Sequence, residues 1–157
     1  MDAKTDDVEK LLFIMANLPE YLRSSMARKK INELIVMNEP ERMLTTIKVI
    51  RCLSSLKAES VSQLICSWIK EMCKIDPKIL TDLMLTYCEA FENEEKHINA
   101  FSMSFLEGYN SLLEVDQDII MTAVKEALFL RPDRKELIKS LPNSLKNTFG
   151  LNSEYLS

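Results

Sequence analysis

Val61-Ser62-Gln63-Leu64-Ile65-Cys66-Ser67-Trp68-Ile69-Lys70-Glu71-Met72 decides how this chain is read. Its apolar residues Val61, Leu64, Ile65, Trp68, Ile69 and Met72 follow the i, i+3, i+4, i+7, i+8, i+11 series, which puts them on one stripe of an α-helix. A strand would need strict alternation, and the segment has none. A second stripe follows after Asp76-Pro77, made by Leu80, Leu83, Met84, Tyr87, Cys88 and Phe91. Ile120, Ala123, Val124, Ala127 and Leu128 repeat the pattern further on.

The breaks between stripes carry helix start and stop chemistry. Asp76-Pro77 sets a capping side chain before a proline at the first helical position, where the missing N–H has no partner to lose. Thr5 is a candidate cap for the first helix, with Asp6 and Asp7 facing the positive end of the dipole. Asn17-Leu18-Pro19-Glu20 has the spacing of a capping box. Asn93-Glu94-Glu95 and Asp116-Gln117-Asp118 read as further openings, and Glu39-Pro40, Arg131-Pro132 and Leu141-Pro142 mark the other boundaries. The spacing predicts helices near 5–16, 19–37, 40–55, 59–74, 77–92, 94–113, 117–130, 132–140 and 142–149, the second with a break near Arg28.

Composition agrees. With 46% hydrophobic and 28% charged residues and only 2 Gly and 5 Pro, the chain is neither collagen-like nor of disordered type, and it has few residues to punctuate short strands. No interval resembles a linker, so residues 1–157 are expected to form a single all-α domain of about seven to nine antiparallel helices. The starts at Pro40, Pro77 and Gln117 and the echo between Ile75-Asp76-Pro77-Lys78-Ile79-Leu80 and Val115-Asp116-Gln117-Asp118-Ile119-Ile120 admit a HEAT- or armadillo-like stack of helix pairs. A plain antiparallel bundle with short turns explains the same spacing.

The net charge of −4 is unevenly distributed. Residues 1–57 and 131–157 lean basic, and residues 58–130 are strongly acidic. An acidic centre repels phosphate backbones, which disfavours sequence-independent nucleic-acid binding. The acidic opening Met1-Asp2-Ala3-Lys4-Thr5-Asp6-Asp7 is unlike a secretory leader, and no apolar run approaches the roughly 18–20 residues needed to cross a bilayer. A cytoplasmic protein without membrane contact is expected. Cys52, Cys66, Cys73 and Cys88 form no C-x-x-C pair, and Cys66 and Cys73 are separated by a rise of about 10 Å on one helix, so reduced structural thiols are expected.

Chemistry-bearing patterns are sparse. Glu94 and His97 share a helical face in Glu-x-x-His spacing, one half of a di-metal carboxylate motif, but His97 is the sole histidine and the other half cannot exist. Cys88 has only His97 available as a base and lies on an apolar stripe that suppresses its thiolate. Gly108 and Gly150 are isolated, which excludes a glycine-rich phosphate loop. No catalytic, cofactor or metal residue is assigned, and no cofactor is expected.

Arg23, Arg28, Lys29 and Lys30 are the densest basic cluster. Arg23 and Lys30 share a face while Arg28 and Lys29 spread round the helix, a collar suited to an acidic partner or to the acidic middle of a second copy. Met15, Met26, Met37 and Met43 could line an adaptable groove or fill core gaps, and Phe101, Phe105, Tyr109, Leu112 and Leu113 read as a packing stripe. The expected function is a non-catalytic protein–protein interaction or adaptor module, its partner another protein or a second copy. One alternative is a small helical enzyme or ligand carrier whose cavity is assembled from distant residues, with Glu94, His97 and Tyr109 at its mouth. Another is a nucleic-acid-binding regulator that uses the Arg23–Lys30 region.

Overall fold

The computed structural model describes residues 3–151. Nine α-helices account for most of them: α1 Ala3–Ala16, α2 Glu20–Val36, α3 Glu39–Leu53, α4 Ala58–Met72, α5 Pro77–Glu92, α6 Ile98–Asn110, α7 Glu114–Phe129, α8 Arg134–Ser140 and α9 Asn143–Phe149, with a 3-10 turn at Glu95–His97 before α6. The described residues include no strand and no helix long and apolar enough to cross a membrane.

Capping explains several boundaries. The Asp76 carboxylate accepts from the Lys78 N–H at 2.9 Å with Pro77 in the first helical position, and Asn38 accepts from the Glu41 N–H at 3.0 Å to open α3. Other expected caps act differently. Asn17 donates Nδ2–H to the Phe13 carbonyl at 2.8 Å, so it closes α1, and Pro19 holds the cap position of α2. Asn93 likewise closes α5 by donating to the Glu89 carbonyl at 2.9 Å. Thr5 already lies inside α1, and its side chain is outside the described residues. Helix α7 starts at Glu114, ahead of the expected Asp116-Gln117-Asp118 opening, and Gln117 instead donates to the Tyr109 carbonyl at 2.9 Å. Helix α2 runs through Arg28 without a break. At the far end, Gly150 supplies the left-handed residue (φ 63°) that lets Leu151 N–H reach the Lys146 carbonyl at 2.8 Å and close α9.

The first seven helices form two rows. In one, α3 packs on α1 and α5, and α5 also packs on α7; in the other, α4 packs on α2 and α6. Within a row the helices are parallel, because successive contacts advance in the same direction along both partners. Arg23 donates to Ser67 Oγ at 2.9 Å and Arg28 meets Glu71 at 2.9 Å, carrying α2 along α4. Ser62 donates to Glu107 at 2.9 Å while Gly108 lies against Cys66, carrying α4 along α6. Thr81 donates to Glu126 at 3.0 Å and Glu89 meets Arg131 at 3.2 Å, carrying α5 along α7. Helices adjacent in sequence therefore run antiparallel, as their short connections require. The contacts Arg23–Ser67, Arg28–Glu71, Arg51–Glu94, Ser62–Glu107 and Thr81–Glu126 join residues 44, 43, 43, 45 and 45 apart. One helix-pair offset thus recurs along the array.

One apolar core joins the rows, running from Leu12 and Met15 in α1 to Phe149 and Leu151 at the end of the described chain. Both predicted stripes enter it, as do Ile120, Ala123, Ala127 and Leu128 of α7. Leu113 leaves the stripe predicted for it, because it holds the cap position of α7 and is exposed.

Two acids lie among these buried residues. Glu71 meets Arg28 and Lys74, each at 2.9 Å, and Glu94 meets Arg51 at 2.6 Å and His97 at 3.8 Å. Burial would raise the Glu71 carboxyl, but the hydrogen bonds and charges of Arg28 and Lys74 outweigh it and hold the group below its ordinary 4.5. A depressed carboxyl contributes stability above its unfolded value, and that contribution is lost as pH falls through the folded one.

Two predictions follow from this packing. Glu71→Gln lowers the urea midpoint at pH 7, and the gap to wild type narrows as pH falls below 4.5; a gap independent of pH contradicts the pairing. At Gly108 an added Cβ meets Ile69 Cδ1 at 3.1 Å and Cys66 Cα at 3.3 Å. Gly108→Val therefore costs about 1–3 kcal/mol through overpacking, read by chemical denaturation, and an unchanged midpoint contradicts the close approach of α4 and α6.

Candidate functional site

Between the two rows lies a cavity of about 320 Å³. Each of the nine helices contributes to its wall: Leu12 and Met15 from α1, Leu34 from α2, Val49 and Ile50 from α3, Leu64, Ile65 and Trp68 from α4, Met84 and Cys88 from α5, Phe101 and Phe105 from α6, Val124 from α7, Leu137 from α8 and Phe149 from α9. The residues come from the apolar stripes because each stripe faces the opposite row. One side is aromatic, with Phe91 and Phe101 centroids 4.3 Å apart, Phe101 and Phe105 6.1 Å apart, and Phe105 and Phe149 5.9 Å apart.

Polar groups on the wall are few. Lys30 and Glu33 of α2 both line the cavity and reach solvent, which places them at its opening, and they pair with each other at 3.0 Å. Trp68 donates its indole N–H to Tyr87 Oη at 2.9 Å, and burial pushes the Tyr87 phenol up to about 12, so it stays neutral. Thr46 donates back to the Arg42 carbonyl at 2.8 Å. Ser102 Oγ is buried with no hydrogen-bond partner. The wall can enclose an apolar body. It has no convergent acid, base and nucleophile.

The basic collar does not form one surface. Arg23 is drawn into the α1–α2 corner, donating to Ser67 Oγ and to the Leu18 carbonyl at 3.0 Å, beside a shallow polar depression that Glu20, Glu59, Ser62 and Glu107 also line. Arg28 pairs with buried Glu71, and Lys30 with Glu33 at the cavity opening. Lys29 is exposed. Of the methionines, Met15 and Met37 line the cavity, Met26 packs on the core and Met43 is half-buried, so no exposed methionine groove forms in the first third.

The catalytic candidates are not brought together. Glu94, His97 and Tyr109, expected at the mouth of a cavity, lie off its wall: Glu94 and His97 pair in the turn before α6, and Tyr109 packs edge-on to Phe149 with centroids 5.0 Å apart. No group of three His, Cys, Asp or Glu suited to a metal occurs among the described residues. Burial pushes the Cys88 thiol up to about 12, and its charged neighbours are Arg131, Glu89, Glu92 and Asp133, with no imidazole among them. The sequence carries no sign of the cavity itself or of the unpaired Ser102, since every wall residue looks like ordinary core.

Iodoacetamide at pH 7 is expected to leave Cys88 unmodified in the native protein and to label it once denaturant unfolds the chain, as peptide mass mapping reads directly. Native labelling at the rate of a simple thiol contradicts the burial. No protein-family model, curated protein or solved structure matches the chain, so its function is argued from this geometry.

Proposed function

We propose that the protein is a non-catalytic binding protein that carries an apolar small molecule in the chamber between its helix rows. The observation that supports this is the chamber's size together with its wall. Apolar cavities of about 150 Å³ stay dry and take up benzene, and ligand pockets begin near 300 Å³, so 320 Å³ is room for a small apolar ligand. A ligand that fills the space recovers contacts the side chains cannot make among themselves. The nearly apolar wall favours a carrier over an enzyme, and the reduced thiols of Cys66, Cys73 and Cys88 suit the cytoplasm.

A second reading keeps the adaptor function. Phe13 (61% exposed), Ile14 (54%), Tyr21 (74%) and Leu22 (40%) flank the α1–α2 turn, an apolar end to the array that another protein or a second copy could cover. The recurring helix-pair offset supports a HEAT- or armadillo-like stack, an architecture that presents such surfaces. Under this reading, sedimentation shows self-association that Phe13→Asp/Tyr21→Asp abolishes. A monomer at all concentrations removes the self-association form.

Octane provides the test of the carrier reading, because Trp68 is the chain's one tryptophan and lines the cavity. Titration is expected to shift Trp68 emission saturably and to raise Tm by several degrees. Val49→Phe, which fills part of the chamber, is expected to keep the helical circular dichroism and to weaken octane binding at least roughly tenfold. A wild type in which neither emission nor Tm responds contradicts the proposal.

A further inference from the structure

The last two helices differ from the rest. Helices α1 to α7 have 13 to 17 residues, whereas α8 and α9 have seven each and meet at Leu141-Pro142. With α9 packed on α6, the pair stands where the second row would place its next helix, broken in the middle. Two turns make a marginal helix, so each half depends on packing and not on its own propensity. That packing is apolar, through the buried side chains of Leu137, Ile138, Phe149 and Leu151. The side-chain hydrogen bonds of the segment stay within it: Ser140 donates to the Leu137 carbonyl at 2.7 Å, Lys146 to the Lys139 carbonyl at 3.2 Å and Thr148 to the Ser144 carbonyl at 2.8 Å. Among the described residues of the segment, Arg134 alone reaches out, donating to the Phe129 carbonyl at 3.4 Å and lying over the Phe129 ring.

The same segment walls the chamber with Leu137, Leu141, Leu145, Phe149 and Leu151. It leaves α7 through Arg131-Pro132-Asp133, and that joint is pinned, since Arg131 meets Glu89 at 3.2 Å and Glu92 and Asp133 at 2.6 Å each. A cover without polar ties therefore hangs from a fixed joint. The opening beside Lys30 and Glu33 is built differently. It belongs to α2, which Arg23–Ser67 and Arg28–Glu71 tie to α4, and an apolar body passing there would have to strip water from a charged pair. Segments held by few ties open at a fraction of the cost of global unfolding.

We infer that residues 134–151 are the gate of the chamber: α8 and α9 lift about the Arg131–Asp133 joint to admit and release the apolar ligand. This rests on the carrier reading.

The test ties the gate shut. A Cβ added at Gly150 would lie 4.0 Å from Lys125 Nζ of α7, so Gly150→Asp sets a carboxylate beside that ammonium. Gly150→Asn imposes the same left-handed backbone (φ 63°) without the charge and is the control. Stopped-flow Trp68 emission at low salt is expected to show octane entering and leaving Gly150→Asp about two- to fivefold more slowly than Gly150→Asn, with Kd unchanged and the difference gone in about 1 M NaCl. Lys30→Ala/Glu33→Ala is expected to leave both rates as in wild type. In wild type, amides of residues 134–149 are expected to exchange at least roughly tenfold faster than those of α4. Octane that binds wild type but enters both Gly150 variants at one rate, or enters faster once Lys30 and Glu33 are removed, overturns the gate and leaves the carrier reading standing. Amides in 134–149 that exchange as slowly as those of α4 overturn it too, whether or not the Gly150 variants fold. If octane moves neither the emission nor the Tm of wild type, the carrier reading falls and the gate with it.

Discussion

The structure depends on how helices two apart in sequence are tied to one another. Polar contacts hold α2 to α4 (Arg23–Ser67 and Arg28–Glu71), α4 to α6 (Ser62–Glu107) and α5 to α7 (Thr81–Glu126 and Arg131–Glu89). These fix the spacing within each row. Across the rows, contact is made mainly by apolar side chains, whose attraction falls away over fractions of an ångström. A scaffold tied at its flanks and joined by short turns cannot collapse freely onto its own interior, and a chamber remains where the stripes of all nine helices meet.

The same ties account for much of the charge. The chain carries 24 acidic and 20 basic residues, and several of its cations, themselves largely exposed, reach in to acids of the fold. Arg28 and Lys74 converge on buried Glu71, Arg51 reaches buried Glu94, and Arg131 gathers Glu89, Glu92 and Asp133, holding the Asp133 carboxyl down to about 2. Such pairs set register more than they add net stability, since each brings a desolvation cost. They also draw Arg23, Arg28 and Lys30 away from any shared basic surface, which weakens the case for phosphate recognition through that collar.

Periodicity made the helices legible, and tertiary context decided what it left open. The stripes of α4 and α5 were readable because apolar spacing and the Asp76-Pro77 start agree on one answer. Asn17, Asn93 and Asp116 misled because a capping-type residue between two helices can serve the end of one or the start of the next. At Asn17 and Asn93 the preceding carbonyl took the hydrogen bond. In the sequence Glu71 carries no assigned role and Glu94 reads as part of a helix opening, and only the arginines brought from 43 residues away explain their burial. The cavity was not legible at all. Leu64, Ile65 and Phe105 have the same spacing whether they meet a neighbour or a void, and nothing in the local sequence distinguishes Ser102 from a serine that bonds back to its own helix.

An interior that stays dry and partly unfilled is the claim on which the functional reading stands, and xenon tests it without any assumption about the natural ligand. Xenon is apolar, enters by partition alone and scatters strongly. Crystals of the unliganded protein under xenon pressure are expected to show discrete density in the space lined by Ile65, Trp68, Phe105 and Val124, with the helices undisplaced. A core that excludes xenon, with side chains in continuous contact across that space, would contradict the account.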